Sequence, residues 1–278
     1  MMRALQLPVH AGAHEWELIA RIPDAPRLRL LWLPALGVSA RNYVPLAEAL
    51  AERGVAVFLH EWRGAGSSNL RAGRGCDWGY RELLAEDIPA SLQAMRDALP
   101  DTTDTRLGGH SLGGQLAACS LALHPASATG LWLVGSGAPY WRAFPTPLRW
   151  GLPLVYRFLP WLTRRLGALP GRRLGFGGNE ARGVIHDWAR SGLSGRYAAR
   201  GLDVDLEAAL ARAAPRVRAV VLAEDWMAPR GSLLFLVGKM PQARPTIMEL
   251  DRDAAGAEPD HFSWMQAPAG VADALAGD

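Results

Sequence analysis

Five short apolar runs recur along the chain: Leu28–Leu33, Val55–Leu59, Leu131–Val134, Val217–Leu222 and Thr246–Leu250. Segments of helical character separate them, and that rhythm constrains the fold more than any other feature. Runs this short and this continuously apolar fit parallel strands buried on both faces, with the connecting helices covering the sheet. Between the first two, Pro45 to Gly54 opens with proline and closes with glycine, with Leu46, Ala49 and Leu50 on one face; this predicts a crossover helix. Asp87 is the expected N-cap of a second, whose stripe of Leu92, Met95 and Leu99 ends at Pro100. Leu5–Val9 and Glu15–Ile22 fit an antiparallel hairpin on the sheet edge, with Gly12 in the turn. The expected fold class is therefore α/β, a mostly parallel sheet with helices on both faces.

Composition narrows the function classes. Of 278 residues, 49% are hydrophobic and 21% charged, which supports a folded core and excludes a disordered chain. Thirty basic against 27 acidic residues leave a net charge of +3, with Lys239 the single lysine, and this is no nucleic-acid footprint. Cys76 and Cys119 are too few for a disulfide framework and lack metal-ligand spacing, so free thiols in a reducing compartment are expected. Met1 to Trp16 contain no continuous apolar h-region and no stretch has membrane-spanning length, so the expectation is a cytoplasmic protein.

Residues 139–179 break the rhythm. They hold Tyr140, Trp141, Phe144, Trp150, Tyr156, Phe158, Trp161 and Phe176 together with Arg142, Arg149, Arg157, Arg164, Arg165, Arg172 and Arg173. No Asp or Glu occurs between Asp104 and Glu180. Scattered prolines restrict the segment to short helices, and a helical cap inserted in the sheet is expected. The domain organisation is then core 1–138, cap 139–200 and core 201–278. Three roles are open to the cap: burial of its aromatics with solvated arginines, an acyl-pocket lining, or weak contact with an anionic membrane surface.

The strongest chemical signal is Gly109-His110-Ser111-Leu112-Gly113-Gly114, between a strand candidate at Leu107 and a helix-compatible stretch from Gln115 to Leu123. Gly-x-Ser-x-Gly at a strand-to-helix turn projects the Ser111 hydroxyl from strained backbone, which requires small residues two before and two after. The helix N-terminus then faces the site and favours developing negative charge. Such an elbow calls for an acid and then a histidine further along the chain. His10, His14 and His60 precede Ser111, and His110 lies inside the motif, pointing away from the nucleophile. His124 ends a helix beside Pro125 and His186 adjoins the cap, leaving His261 as the general-base candidate. Asp225, directly after a predicted strand, is the favoured acid over Glu224 and Asp251, while Asp203 and Asp205 fit a polar helix start.

Taken with Leu33-Pro-Ala-Leu-Gly-Val38, Arg63-Gly-Ala-Gly-Ser67, Glu224-Asp-Trp-Met-Ala-Pro229 and His261-Phe262, the elbow resembles the α/β-hydrolase superfamily, in particular its serine esterases and lipases. The resemblance spans the chain apart from residues 139–200, which match the family's variable lid only in position. It implies the α/β-hydrolase fold and acyl transfer by Ser111, His261 and Asp225. The backbone N–H groups of Leu36 and Leu112 would form the oxyanion hole. Where many relatives carry His-Gly before the oxyanion residue, this chain has Pro34-Ala35, and the strand feeding the elbow, Thr105 to Gly108, is poor in β-branched residues. A small-molecule carboxylic ester is the implied substrate, without cofactor or metal. Two alternatives stay open: an N-terminal peptidase in which Glu180 or Asp187 binds the ammonium group, and a non-catalytic ligand- or partner-binding member of the fold. Arg63 to Ser67 forms neither phosphate-binding glycine motif and is expected to be a structural turn.

Overall fold

The computed structural model describes residues 2–102, 104–171 and 178–277. Arg172, Arg173 and Phe176 of the aromatic, arginine-rich segment lie outside them. The chain opens with β1 (Met2–Ala11) and β2 (His14–Pro23), the hairpin turned at Gly12, whose φ is +57°. There follow β3 (Leu28–Leu33), α1 (Val44–Glu52), β4 (Val55–Leu59), α2 (Tyr80–Glu82) and α3 (Ile88–Ala98). Next come β5 (Thr105–His110), α4 (Leu112–Leu123) and β6 (Gly130–Val134). The chain then leaves the sheet for α5 (Leu148–Leu166), a small pair of β7 (Ala168–Pro170) with β8 (Asn179–Ala181), α6 (Arg182–Ser194) and α7 (Leu206–Arg212). It returns as β9 (Arg216–Leu222), α8 (Arg230–Val237), β10 (Arg244–Leu250), α9 (Arg252–Ala255) and α10 (Ala269–Ala276).

The main sheet has eight strands in the order β1-β2-β4-β3-β5-β6-β9-β10. β2 runs antiparallel to both β1 and β4, and the six strands from β4 to β10 are parallel. Alternation along each strand feeds two cores. Leu31, Leu33, Ala56 and Phe58 pack with α3, α4 and α8 on one face. Leu28, Leu30, Trp32, Val55, Val57 and Leu59 pack with α1 and α10 on the other. Helices therefore cover both faces, and the chain is an α/β fold as its apolar rhythm predicts.

Three local expectations are corrected. The prolines do not restrict residues 148–166 to short helices: α5 runs 19 residues through Pro153 and Pro160, each of which forfeits one backbone hydrogen bond while packing against α6 holds the helix together. Thr246–Leu250 is not buried on both faces: β10 is an edge strand with only Leu250 buried, because no strand among the described residues pairs beyond it. Asp87 is not an N-cap. The helix begins at Tyr80 and passes through a π-helical turn, Leu83–Asp87, into α3, so Asp87 already has helical backbone. Its fully buried carboxylate instead accepts two hydrogen bonds from Arg63, at 2.7 and 2.8 Å, and bonds with His14 Nδ1 at 3.2 Å. A buried anion needs such partners, and here they tie β2 and the Arg63–Ser67 turn to the helix.

Candidate active site

Ser111 stands between β5 and α4 with φ +53° and ψ −120°, the one non-glycine residue with positive φ among those described. Such backbone costs an L-residue of order 1–3 kcal/mol and persists only where the surroundings impose it. The flanking glycines are what allow it. A Cβ on Gly113 would lie 2.0 Å from the Leu33 carbonyl oxygen, and one on Gly109 would lie 2.4 Å from the Gly113 carbonyl carbon. β5 is poor in β-branched residues for a related reason: a Cβ on Gly108 would meet the Trp132 carbonyl oxygen at 2.9 Å.

At the carboxyl ends of β9 and β10 the structure brings Asp225 and His261 together. His261 Nδ1 lies 2.7 Å from Asp225 Oδ2, with both side chains almost wholly buried. The other carboxylate oxygen of Asp225 accepts from the backbone N–H groups of Met227 and Ala228, at 2.9 and 3.0 Å. Trp264 Nε1–H donates to the His261 carbonyl at 3.1 Å and fixes the loop that carries the imidazole. The rival acids are placed elsewhere: Glu224 is exposed, and Asp251 caps α9 by accepting from Ala254 N–H. Asp205 caps α7. His124 is exposed at the end of α4, and His186 is half-buried beside Pro160 and Arg164.

Ser111 and His261 both line a cavity of about 490 Å³. Ser111 Oγ has no hydrogen-bond partner among the described residues, so the two groups share the cavity without being joined by a bond. Its walls are mostly apolar, with Leu148, Leu152, Tyr156 and Leu159 from α5, Ile185 and Trp188 from α6, and Trp226, Met227 and Phe262 beside the histidine. Gln115, one helical turn beyond Ser111, adds the amide: its Oε1 accepts from Tyr197 at 3.2 Å.

Leu36 and Leu112 also line this cavity. Leu112 opens α4, so its N–H has no intrahelical acceptor. The Leu36 N–H finds no acceptor among the described residues, whereas its neighbours are tied down. Ala35 N–H donates to Tyr43 Oη at 2.9 Å, and Trp62 Nε1–H donates to the Pro34 carbonyl at 2.9 Å. Tyr43 Oη in turn hydrogen-bonds with His110 Nδ1 at 2.8 Å. These side chains hold the Pro34-Ala35 loop that stands where many relatives carry His-Gly. Sequence inspection missed Tyr43 because nothing in its spacing marks it.

His110 is fully buried, outside the cavity but against His261, with ring centroids 4.6 Å apart. Burial first, and His261 second, hold its pKa well below the usual histidine range. A neutral ring here does not oppose the charging of its neighbour.

A larger cavity, about 920 Å³, lies elsewhere and is lined by charged groups including Arg164, Arg182, His186, Asp187 and Arg190. It contains neither Ser111 nor His261. Asp187 is buried, accepting from Tyr80 N–H at 2.9 Å and from Arg190 at 2.6 Å. Glu180 lines a third cavity, about 270 Å³, with Arg41, Arg63 and Arg71, and burial pushes its carboxyl up to about 7. Neither carboxylate of the peptidase alternative therefore lines the Ser111 cavity. A second Ser–His–Asp arrangement also exists, with His14 3.0 Å from Ser68 Oγ and 3.2 Å from Asp87. All three residues are buried and line none of these cavities, and Ser68 Oγ already accepts from Gly64 and Leu70 N–H groups. This network holds a turn. Among the described residues no group of three His, Cys, Asp or Glu side chains is placed to hold a metal ion, and no helix is long and apolar enough to cross a membrane.

A central parallel sheet with a strained serine after its fifth strand, and a carboxylate–imidazole pair at the same sheet edge, defines an α/β-hydrolase. The family model described as serine aminopeptidase, S33, matches residues 24–187, more than half of the chain, and the chain belongs to that family of hydrolases. Among curated proteins none matches the sequence. Similar solved structures include a thermophilic esterase from Thermogutta terrifontis with malate bound (TM-score 0.61, 16% identity, 98% of this chain and 96% of that one). A deformylase from Pseudomonas putida S16 (TM-score 0.59, 18% identity, 98% and 100%) is another. So is the thioesterase domain from the curacin biosynthetic pathway (TM-score 0.60, 17% identity, all of both chains). At these identities the likeness establishes the fold.

Proposed function

We propose that the chain is a serine hydrolase of carboxylic esters whose acyl group is apolar. The observation that supports this is the cavity itself, which Ser111 and His261 both line and whose walls are mostly apolar. In the proposed reaction His261 Nε2 takes the Ser111 proton as Oγ bonds to the ester carbonyl carbon, while Asp225 orients the ring and stabilises its charge. The backbone N–H groups of Leu36 and Leu112 receive the oxyanion. Collapse of the tetrahedral intermediate breaks the C–O bond, and His261 returns its proton to the leaving alcohol. Water, deprotonated by His261, then releases the acid and restores Ser111. Apolar walls favour an acyl chain over a charged amino terminus, and residues 139–200 act as the cap that closes the chamber. Esterase and thioesterase structures among the similar folds agree with acyl-transfer chemistry.

Covalent labelling by a fluorophosphonate probe tests the nucleophile: the wild type should label and Ser111→Ala should not. Equal labelling of both, or of neither, overturns the assignment. Side-by-side turnover of nitrophenyl acyl esters and aminoacyl anilides tests the substrate class, and faster anilide cleavage would favour the peptidase.

A further inference from the structure

α5 has two faces with different surroundings. Leu148, Leu152, Tyr156 and Leu159 turn inward and line the cavity. The opposite stripe presents Trp150, Leu154, Phe158 and Trp161, at i, i+4, i+8 and i+11, which are exposed to 61%, 70%, 53% and 50%. One exposed leucine or tryptophan is ordinary, but four large apolar side chains along one helical stripe are not. Cations border the stripe. The Arg149 guanidinium lies 4.7 Å from the Trp150 ring centroid, Arg165 lies 5.7 Å from that of Trp161, and Arg157 is exposed beside them. Next to α5, Arg142 lies 4.8 Å from the Trp141 ring centroid. The whole stretch from 105 to 179 contains no carboxylate side chain.

We propose that the outer face of α5 docks on an anionic lipid bilayer, the helix lying in the interface plane. Its tryptophans, leucine and phenylalanine would enter the acyl boundary, and its arginines would meet headgroup phosphates. The charge pattern selects this occupant. Two copies of the chain meeting through this face about a two-fold axis would set the arginines of one against those of the other, with no carboxylate in α5 to relieve them. A bilayer with anionic headgroups satisfies the apolar stripe and the cations at once. Because the same helix walls the cavity on its other side, docking brings that chamber next to a reservoir of acyl chains. The proposal does not depend on the chemistry assigned to Ser111.

Co-sedimentation of the full-length chain with vesicles tests it. The vesicles are built from ether-linked phosphatidylcholine, alone or mixed with ether-linked phosphatidylglycerol, so that no hydrolysis can alter them. Wild type and Ser111→Ala should both bind the mixed vesicles, roughly a hundredfold more tightly than phosphatidylcholine alone, since several arginines act together. The double variant Trp150→Ser/Phe158→Ser should lose that binding while keeping its circular dichroism spectrum and melting transition. Arg157→Glu/Arg165→Glu, which leaves the apolar stripe in place, should abolish the preference for anionic vesicles. Absence of wild-type binding, equal binding to both vesicle types, or binding indifferent to both double variants overturns the proposal. A concentration-dependent dimer in sedimentation velocity that disappears in Trp150→Ser/Phe158→Ser would assign the face to a second copy and overturn it as well.

Discussion

Removing a single oxygen atom, in Tyr43→Phe, tests whether the loop carrying Leu36 is held from below. The Tyr43 hydroxyl accepts from Ala35 N–H at 2.9 Å and bonds with His110 Nδ1 at 2.8 Å, and Tyr43, Ala35 and His110 are at most 1% exposed. Phenylalanine keeps the ring packing against Trp32 and Trp264 but leaves two buried polar groups without a partner or water. Each such group costs about 1–3 kcal/mol, so the variant should lose about 2–4 kcal/mol of stability in urea denaturation, with an unchanged slope. The rate effect follows from sequence adjacency, because the N–H after Ala35 is the proposed oxyanion donor. Outright loss of a donor costs about 10²–10³ in kcat, and loosening it should cost at least roughly tenfold on a short nitrophenyl ester, with KM nearly unchanged. Stability loss with wild-type kcat would show that Tyr43 supports the core but not the oxyanion loop. A stability change under about 0.5 kcal/mol would refute the hydrogen-bond argument altogether.

Two further outcomes can be checked on folded protein. Gly113→Ala drives a Cβ to 2.0 Å from the Leu33 carbonyl oxygen and 2.5 Å from that of Pro34, both backbone atoms at the end of a central strand; it should destabilise by about 3 kcal/mol, and a loss below about 1 kcal/mol in urea would contradict the close approach. His60 and His110 should stay neutral in ring ¹⁵N spectra down to about pH 5, since burial lowers the pKa of His60 to about 3 and that of His110 well below its usual range. As the pH falls below about 6.5 the unfolded chain takes up protons that these native rings refuse. Each ring therefore removes up to about 1.4 kcal/mol of stability per pH unit, partly offset by Glu61, Asp187 and Glu180, whose burial-raised carboxyls act in the opposite sense. Titration of either ring above about pH 6 would contradict its burial.

Strands were the most legible part of the chain because burial on both faces leaves a signature in composition alone. Leu28–Leu33 and Val55–Leu59 coincide with β3 and β4 residue for residue, and Gly12, Gly54 and Asp205 mark turns and a cap where local chemistry suffices. Asp87 misled for the converse reason: an Asp before Ile-Pro is a good cap locally, yet here its charge is claimed by Arg63 and His14, distant in sequence. Of the candidate site, the Ser111 elbow was legible through its glycines, and the Asp225–His261 pair through the order and position of its members after strands. Tyr43 and Trp62 were invisible, since their bonds to His110 and to the Pro34 carbonyl form only when segments remote in sequence meet.

α6 stands as a party wall between two chambers of unlike character. Ile185 and Trp188 face the oily one, while Arg182, His186 and Arg190 face the ionic one. Any drift of this helix that widens one room narrows the other. The volume of the Ser111 chamber and the shape of the neighbouring cleft are thus mechanically yoked, and mutations chosen to enlarge the first will be felt in the second.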